Sequence, residues 1–224
     1  MKKLTFAVAV AVLLFAAVSM PGCDNFQNIP NIPENFDYGS WTDSTYRNDF
    51  FGLSITVPKD WYISGKEEAD ALFEEVLETD IVNKKEVERV KKITDITSAN
   101  LFLTSRYSVE EAVEKGVFNP NIVLTVENIS SSGPKIDRAT YVKLARQHLV
   151  KGMPGIVFKS QTNKTVGGQE FTSLQTELHT ENVVVFQEYL VCLKNGFAVL
   201  FCLTSFEDSE KESLDAIMTT LKWD

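Results

Sequence analysis

Three cysteines and two histidines carry most of the reactive chemistry available to this chain of 224 residues. Cys23 stands apart from the rest. It directly follows a small residue, Gly22, at the end of an uncharged run from Leu4 that opens on Met1-Lys2-Lys3. Cys192 and Cys202 instead lie in apolar stretches flanking Lys194-Asn195-Gly196-Phe197, and Asn-Gly between apolar runs signals a two-residue type I′ hairpin. That turn sets Cys192 opposite Val199 and Cys202 opposite Tyr189. Side-chain alternation then sends the two thiols to opposite sheet faces, so two buried free thiols are expected rather than a disulfide.

The remaining candidates point away from catalysis. His148 falls on the apolar stripe of a helical pattern, and His179 sits beside Thr180-Glu181 in a turn. A zinc site needs three or four converging ligands. Neither H-E-x-x-H nor C-x-x-C occurs, so no metal and no cofactor is expected. A serine or cysteine nucleophile needs a base in reach, and G-x-S-x-G is absent. Gly167-Gly168 joins two strand patterns, whereas a phosphate-binding glycine loop opens a helix. Glu67-Glu68-Ala69-Asp70, Glu74-Glu75 and Glu78-Thr79-Asp80 form the densest acidic run. It reads as a solvated helix face, with a weak cation or cationic-partner surface as its sharper version. The expectation is a chain that is not an enzyme.

Residues 1–22 have the positive start and short apolar stretch of a signal peptide. A spanning helix needs about 20 apolar residues to cross ~30 Å of hydrocarbon. Pro21-Gly22 breaks the helix at the end of this run, and Met20-Pro21-Gly22 lacks the A-x-A-like ending of ordinary secretion. Gly22-Cys23 resembles the lipobox of bacterial lipoproteins, departing from it at Met20 and Pro21. The resemblance implies cleavage before Cys23 and a thiol carrying diacylglyceryl and fatty-acyl groups such as palmitate. It places the domain on the extracytoplasmic side of a cell membrane.

The chain has 22 basic and 31 acidic residues. Losing Lys2 and Lys3 with the signal takes the net charge from −9 to −11. Phosphate backbones attract basic patches, so no nucleic-acid partner is expected. Anionic head groups repel such a chain as well, and membrane attachment is left to acyl chains, of which two suffice where one does not. Residues 23–45 include Ile29-Pro30-Asn31-Ile32-Pro33 and read as a flexible tether. Residues 46–224 then form one domain of ordinary size.

Within that domain, alternation predicts strands at Phe51–Val57, Trp61–Ile63, Asn100–Tyr107 and Asn121–Ile129. Four more follow at Gly155–Gln161, Gln169–Leu178, Asn182–Leu193 and Phe197–Ser205. Helical spacing appears over Lys66–Thr79 and Asn83–Ile96, as one broken helix or two, while Val109–Lys115 reads as a short helix or a loop; the spacing returns after an Asp137 N-cap, with Tyr141, Leu144, Ala145, His148 and Leu149 as the buried stripe. A last helix carries a Ser209–Glu212 capping box ahead of Leu214, Ile217, Met218 and Leu221. The Val183–Phe186 and Phe197–Leu203 runs are apolar on both faces, as in central strands covered on both sides. The fold class is α+β: an antiparallel sheet covered by helices on both faces.

Phe50-Phe51-Gly52-Leu53-Ser54-Ile55-Thr56-Val57-Pro58-Lys59-Asp60-Trp61, with the closing Leu221-Lys222-Trp223, resembles the two ends of the PsbP-like α/β/α superfamily. Bacterial lipoproteins of the DcrB-like group share that fold. The resemblance implies a fold and no chemistry, and no metal or partner site of the superfamily matches residue by residue here. The expected role is a non-catalytic protein-binding or assembly module of the cell envelope, with Phe26, Phe36, Tyr38 and Trp41 as docking candidates. A small-ligand or cation-binding module is the alternative, with a cleft opening near Trp61 and Tyr62.

Overall fold

The computed structural model describes residues 32–77, 83–85, 97–130, 136–180 and 183–224. In chain order the first elements are β1 (Ser40–Thr42), β2 (Thr45–Asn48), β3 (Leu53–Thr56), β4 (Tyr62–Ser64), α1 (Lys66–Leu77) and β5 (Ser98–Ser105). Next come α2 (Val109–Lys115), β6 (Asn121–Asn128), α3 (Arg138–Gly152), β7 (Ile156–Val166) and β8 (Gln169–His179). The chain closes with β9 (Val184–Lys194), β10 (Phe197–Ser205), α4 (Asp208–Met218) and β11 (Lys222–Trp223). The helix expected over Asn83–Ile96 falls almost wholly outside the described residues.

Seven strands pair in the order β4-β5-β6-β10-β9-β8-β7, every neighbour antiparallel. Strand β10 lies in the middle and is buried at every position, as its two-sided apolar pattern requires. Its even residues Ala198, Leu200 and Cys202 join a core with Ala69 of α1, Ala112 of α2 and Tyr141, Val142, Ala145 and Leu149 of α3. Its odd residues Phe197, Val199, Phe201 and Leu203 join a second core on the other face.

That second face departs from the expected covering of helices alone. A four-stranded antiparallel sheet in the order β1-β2-β3-β11 lies over it, with Tyr46, Leu53 and Ile55 in the core. Helix α4 contributes Leu214, Ile217 and Met218 beside it. The opening strands therefore split: β3 enters the small sheet and β4 the large one. Strand β11 is only two residues long, too short for a period to show; it exists because Lys222 and Trp223 meet Ser54 and Leu53 of β3.

The assigned tether also shortens. Phe36 is 8% exposed and packs on Phe197, Phe50 and Phe51. Asp37 accepts hydrogen bonds from the backbone N–H of Gly39 and Asp49, and buried Asn48 donates to the Asp37 carbonyl at 2.8 Å. Trp41 packs on Tyr46 and Phe102. The proline-rich composition carries no sign of the contacts that seat this segment on the large sheet, since those are made with Phe102 and Phe197, far along the chain. Among the described residues, both cores run from Ile32 to Trp223.

Turns and caps follow local chemistry where the chain controls them alone. Asn195 and Gly196 take φ of 53° and 80°, the type I′ signature. Asp137 caps α3 by accepting from Thr140 N–H at 2.7 Å, and these bonds hold its carboxyl below the usual range. The expected Ser209–Glu212 box does not form. Helix α4 starts two residues earlier than that box requires, and Glu210 reaches back to the Phe206 N–H at 2.7 Å.

Gly167 and Gly168 make the β7–β8 hairpin turn, both at positive φ. A Cβ on Gly167 would stand 2.3 Å from the Leu221 carbonyl, whereas one on Gly168 meets nothing within 4 Å. Gly167→Ala is therefore expected to cost roughly 1–3 kcal/mol for the backbone conformation alone, and more for the clash. Gly168→Ala should cost less, since it carries only the conformational part. Urea unfolding of the two variants beside wild type measures the difference, and equal losses would refute the packing of this turn against Leu221.

Candidate functional site

On the face shared by the small sheet and α4, the covering stops short of one end of the large sheet. The long strands β7, β8 and β9 run on past it, and a cleft of about 270 Å³ opens between them and the first turns of α4. It lies at the end of the sheet opposite the Gly167-Gly168 and Asn195-Gly196 turns. Glu177 and Glu188 come from β8 and β9, Lys159 from β7, and Glu207, Asp208, Lys211 and Asp215 from the α4 side. Phe186 stands at the rim, 37% exposed.

Alternation along the strands explains this set. Glu177 and Glu188 follow Phe171 and Leu190 on the same sheet face, so both carboxylates project where aromatic and aliphatic side chains project further along. Glu188 is only 7% exposed. It is kept there by the Ser173 hydroxyl, which donates at 2.5 Å, and by the Lys164 ammonium at 2.8 Å. A buried charge without such partners is strongly disfavoured. Glu177 meets Lys159 at 3.1 Å and His179 at 2.9 Å, and those two groups hold its carboxyl below the usual range. Lys211 bonds Asp215 at 2.6 Å, which raises its ammonium above the usual value.

Five carboxylates against two ammonium groups line the cleft, and Lys164 beside Glu188 offsets one more, leaving an excess of two negative charges. Such a wall suits a cationic group. Among the described residues no three metal-ligating side chains converge. Ser173 has a carboxylate in reach but is 1% exposed, so its hydroxyl does not meet a substrate.

The residues singled out from sequence scatter across the fold. Cys23 and Phe26 lie outside the described residues. His179 ends β8 at the margin of the cleft through its bond to Glu177, and His148 is half-buried on α3. Of the acidic run, Glu68 accepts from the Tyr62 hydroxyl at 2.8 Å and Asp70 meets Lys66 at 2.5 Å. The acids from Glu74 onward lie outside the residues whose side chains are described. Trp61 is 7% exposed in the second core, and Phe36 and Trp41 also pack inward, leaving Tyr38 half on the surface. The cleft opens away from Trp61 and Tyr62. Glu188 and Glu177 were missed, although a lone carboxylate inside the apolar run Val183–Leu193 was a usable signal for the first.

The two thiols occupy opposite cores in the expected register, Cys192 opposite Val199 and Cys202 opposite Tyr189. Burial pushes Cys192 from its ordinary value of 9.0 up to about 12, and Cys202 higher still. Both are expected to resist a thiol reagent at neutral pH in the native state and to react on unfolding. A folded-state pKa above the unfolded one leaves stability intact below the unfolded value and removes it as pH rises through the folded one. Stability should therefore decline between pH 9 and about 12, and Cys192→Ala should soften that decline. Rapid native labelling of either cysteine would contradict this burial.

Among the described residues no helix is long and apolar enough to cross a membrane. No protein-family model and no curated protein matches the sequence. Among solved structures, the chain is similar to cyanobacterial PsbP (CyanoP) from Synechocystis sp. PCC 6803, at 14% identity over 83% of this chain and 96% of that one, with a TM-score of 0.49. It is similar to LpqN, involved in cell envelope biogenesis of Mycobacterium tuberculosis, at 14% identity over 76% of this chain and 82% of that one, with a TM-score of 0.44. It is also similar to PA94 of Pseudomonas aeruginosa, a protein of unknown function, at 15% identity over 46% of this chain and 72% of that one, with a TM-score of 0.39. Likenesses at this level place no chemistry on the chain, and the fold stands on its own strand order: a mixed α and β domain built on antiparallel sheets.

Proposed function

We propose that the chain is a cell-envelope lipoprotein, held on the extracytoplasmic side of the membrane through acyl groups on Cys23, whose domain is a non-catalytic module that binds a protein partner. The observation that carries the anchor is the order of residues 1–23: two lysines, an uncharged apolar run, a helix break and Gly22-Cys23. The binding reading is supported by the cleft beside α4, where an excess of carboxylates lines the wall around buried Glu188. A cationic side chain presented by a partner fits that wall. The PsbP-like α/β/α architecture belongs to the same reading.

Cys23→Ser is expected to move the protein from the membrane fraction to the soluble one with its melting curve unchanged, because both cores lie downstream of Ile32. Retention of the variant on membranes would overturn the anchor. The acid excess also favours a second reading, a small cationic ligand in place of a protein. Thermal shift across amines and Ca²⁺ separates the two: a shift abolished by Glu188→Gln supports the small ligand, and a flat response leaves the protein partner.

A further inference from the structure

Helix α3 carries Arg138, Lys143, Arg146 and Lys151 with no acid, and β7 carries Lys159 and Lys164 with no acid, in a chain of net charge −9. Three of these six are matched: Arg138 by Glu170 at 3.6 Å, Lys159 by Glu177 at 3.1 Å and Lys164 by Glu188 at 2.8 Å. Lys143, Arg146 and Lys151 have no carboxylate partner among the described residues. They share one groove between α3 and β7. Its other walls are neutral, among them Gln147, Val150, Phe158 and Gln161.

Arg146 is held in place by groups that leave its charge uncompensated. Its Nη1 donates to Gln161 Oε1 at 2.9 Å, and its guanidinium lies 4.5 Å from the Phe158 ring centre. Val150, 52% exposed, lies in the same groove among the cations. The apolar stripe of α3 is spent on the core, so this outer face offers a surface contact made by cations with one aliphatic residue among them, suited to the plane of charged head groups. Size separates an array of anions from a single one. The groove has a volume of about 750 Å³, and Lys143 and Lys151 stand roughly 12 Å apart along the helix.

We propose that this groove docks on anionic phospholipid head groups, laying α3 and β7 against the bilayer that carries the Cys23 anchor. For its setting the inference rests on the lipoprotein reading above. The net negative charge does not forbid it, because distant acids are screened over ~8 Å at physiological ionic strength while the groove cations are in contact. Reach is sufficient: the chain from Cys23 to Phe36 spans at most roughly 45 Å when extended. One sheet spacing plus one helix layer separates the second core from the outer side of α3 by only about 20 Å. Docking through α3 turns the acidic cleft, on the opposite face of the large sheet, toward solvent and a partner.

The test uses residues 32–224, which hold every described residue of both cores and omit Cys23, with a melting curve matching that of the full chain as the check that the domain folds. The domain is floated with vesicles of phosphatidylglycerol or of phosphatidylcholine. Binding is expected to the first alone and to fall with salt. Each cation contributes about fivefold to partitioning, so K143Q/R146Q/K151Q should bind roughly 100-fold more weakly. The exposed pair K143Q/K151Q, which leaves the Arg146 stack intact, should show an intermediate loss with an unchanged melting curve. Equal binding to both lipids, no binding to either, or undiminished binding by the triple variant would overturn the proposal. So would binding of soluble polyglutamate that vesicles fail to displace, which would assign the groove to an acidic protein. Because the anchor is absent from this test, its outcome is independent of the Cys23→Ser fractionation.

Discussion

Strand β10 is the constraint on which the rest of the structure depends. It lies at the centre of the large sheet, buried at all nine positions, and its alternate side chains supply two separate cores. A strand with two apolar faces must be covered twice, since either face left open would expose several large side chains to water. The helices α1, α2 and α3 close one side; the small sheet and α4 close the other. That requirement recruits segments from both ends of the chain. Phe36 and β11 lie nearly the full chain apart in sequence, yet both complete the second layer.

The same geometry generates the surface features. The two coverings differ in shape, and the four-stranded sheet is smaller than the seven-stranded one beneath it. Where it ends, residues continuing the alternation of β8 and β9 meet solvent instead of a second layer. Evolutionary choice at those positions is then free to place carboxylates, and Glu188 can remain buried because Ser173 and Lys164 satisfy it. On the helical side, the outer face of α3 is free of packing duty. Its cations stand beside the exposed edge strand β7 and leave the two faces of the molecule with opposite local charge, acidic at the cleft and basic at the groove.

In the proposed reading, the anchor, the groove and the cleft form one arrangement. A tether fixes the protein to a membrane but not its orientation, and an orientation requires a second, weaker contact with the surface. The three groove cations are the contact proposed for that role, of a kind that is reversible and salt-sensitive. In that proposed orientation the acidic wall, on the opposite face of the large sheet, points away from the bilayer and toward the proposed partner.

By itself the sequence determined most of what near neighbours govern, the Ser209–Glu212 box excepted, since α4 starts two residues before it. The Asn195-Gly196 turn, the Asp137 cap, the Gly167-Gly168 hairpin and the opposed thiols each depend on a few adjacent residues and the alternation of a strand. The two-sided burial of β10 followed from its apolar run. Only the tertiary structure decided which sheet each opening strand joins, that residues 36–45 belong to the domain, and that Lys222-Trp223 forms a strand. It alone brought Glu177, Glu188 and Lys211 to one cleft. Those outcomes depend on contacts between residues tens to hundreds of positions apart, and a local pattern carries no record of which distant surface will cover it.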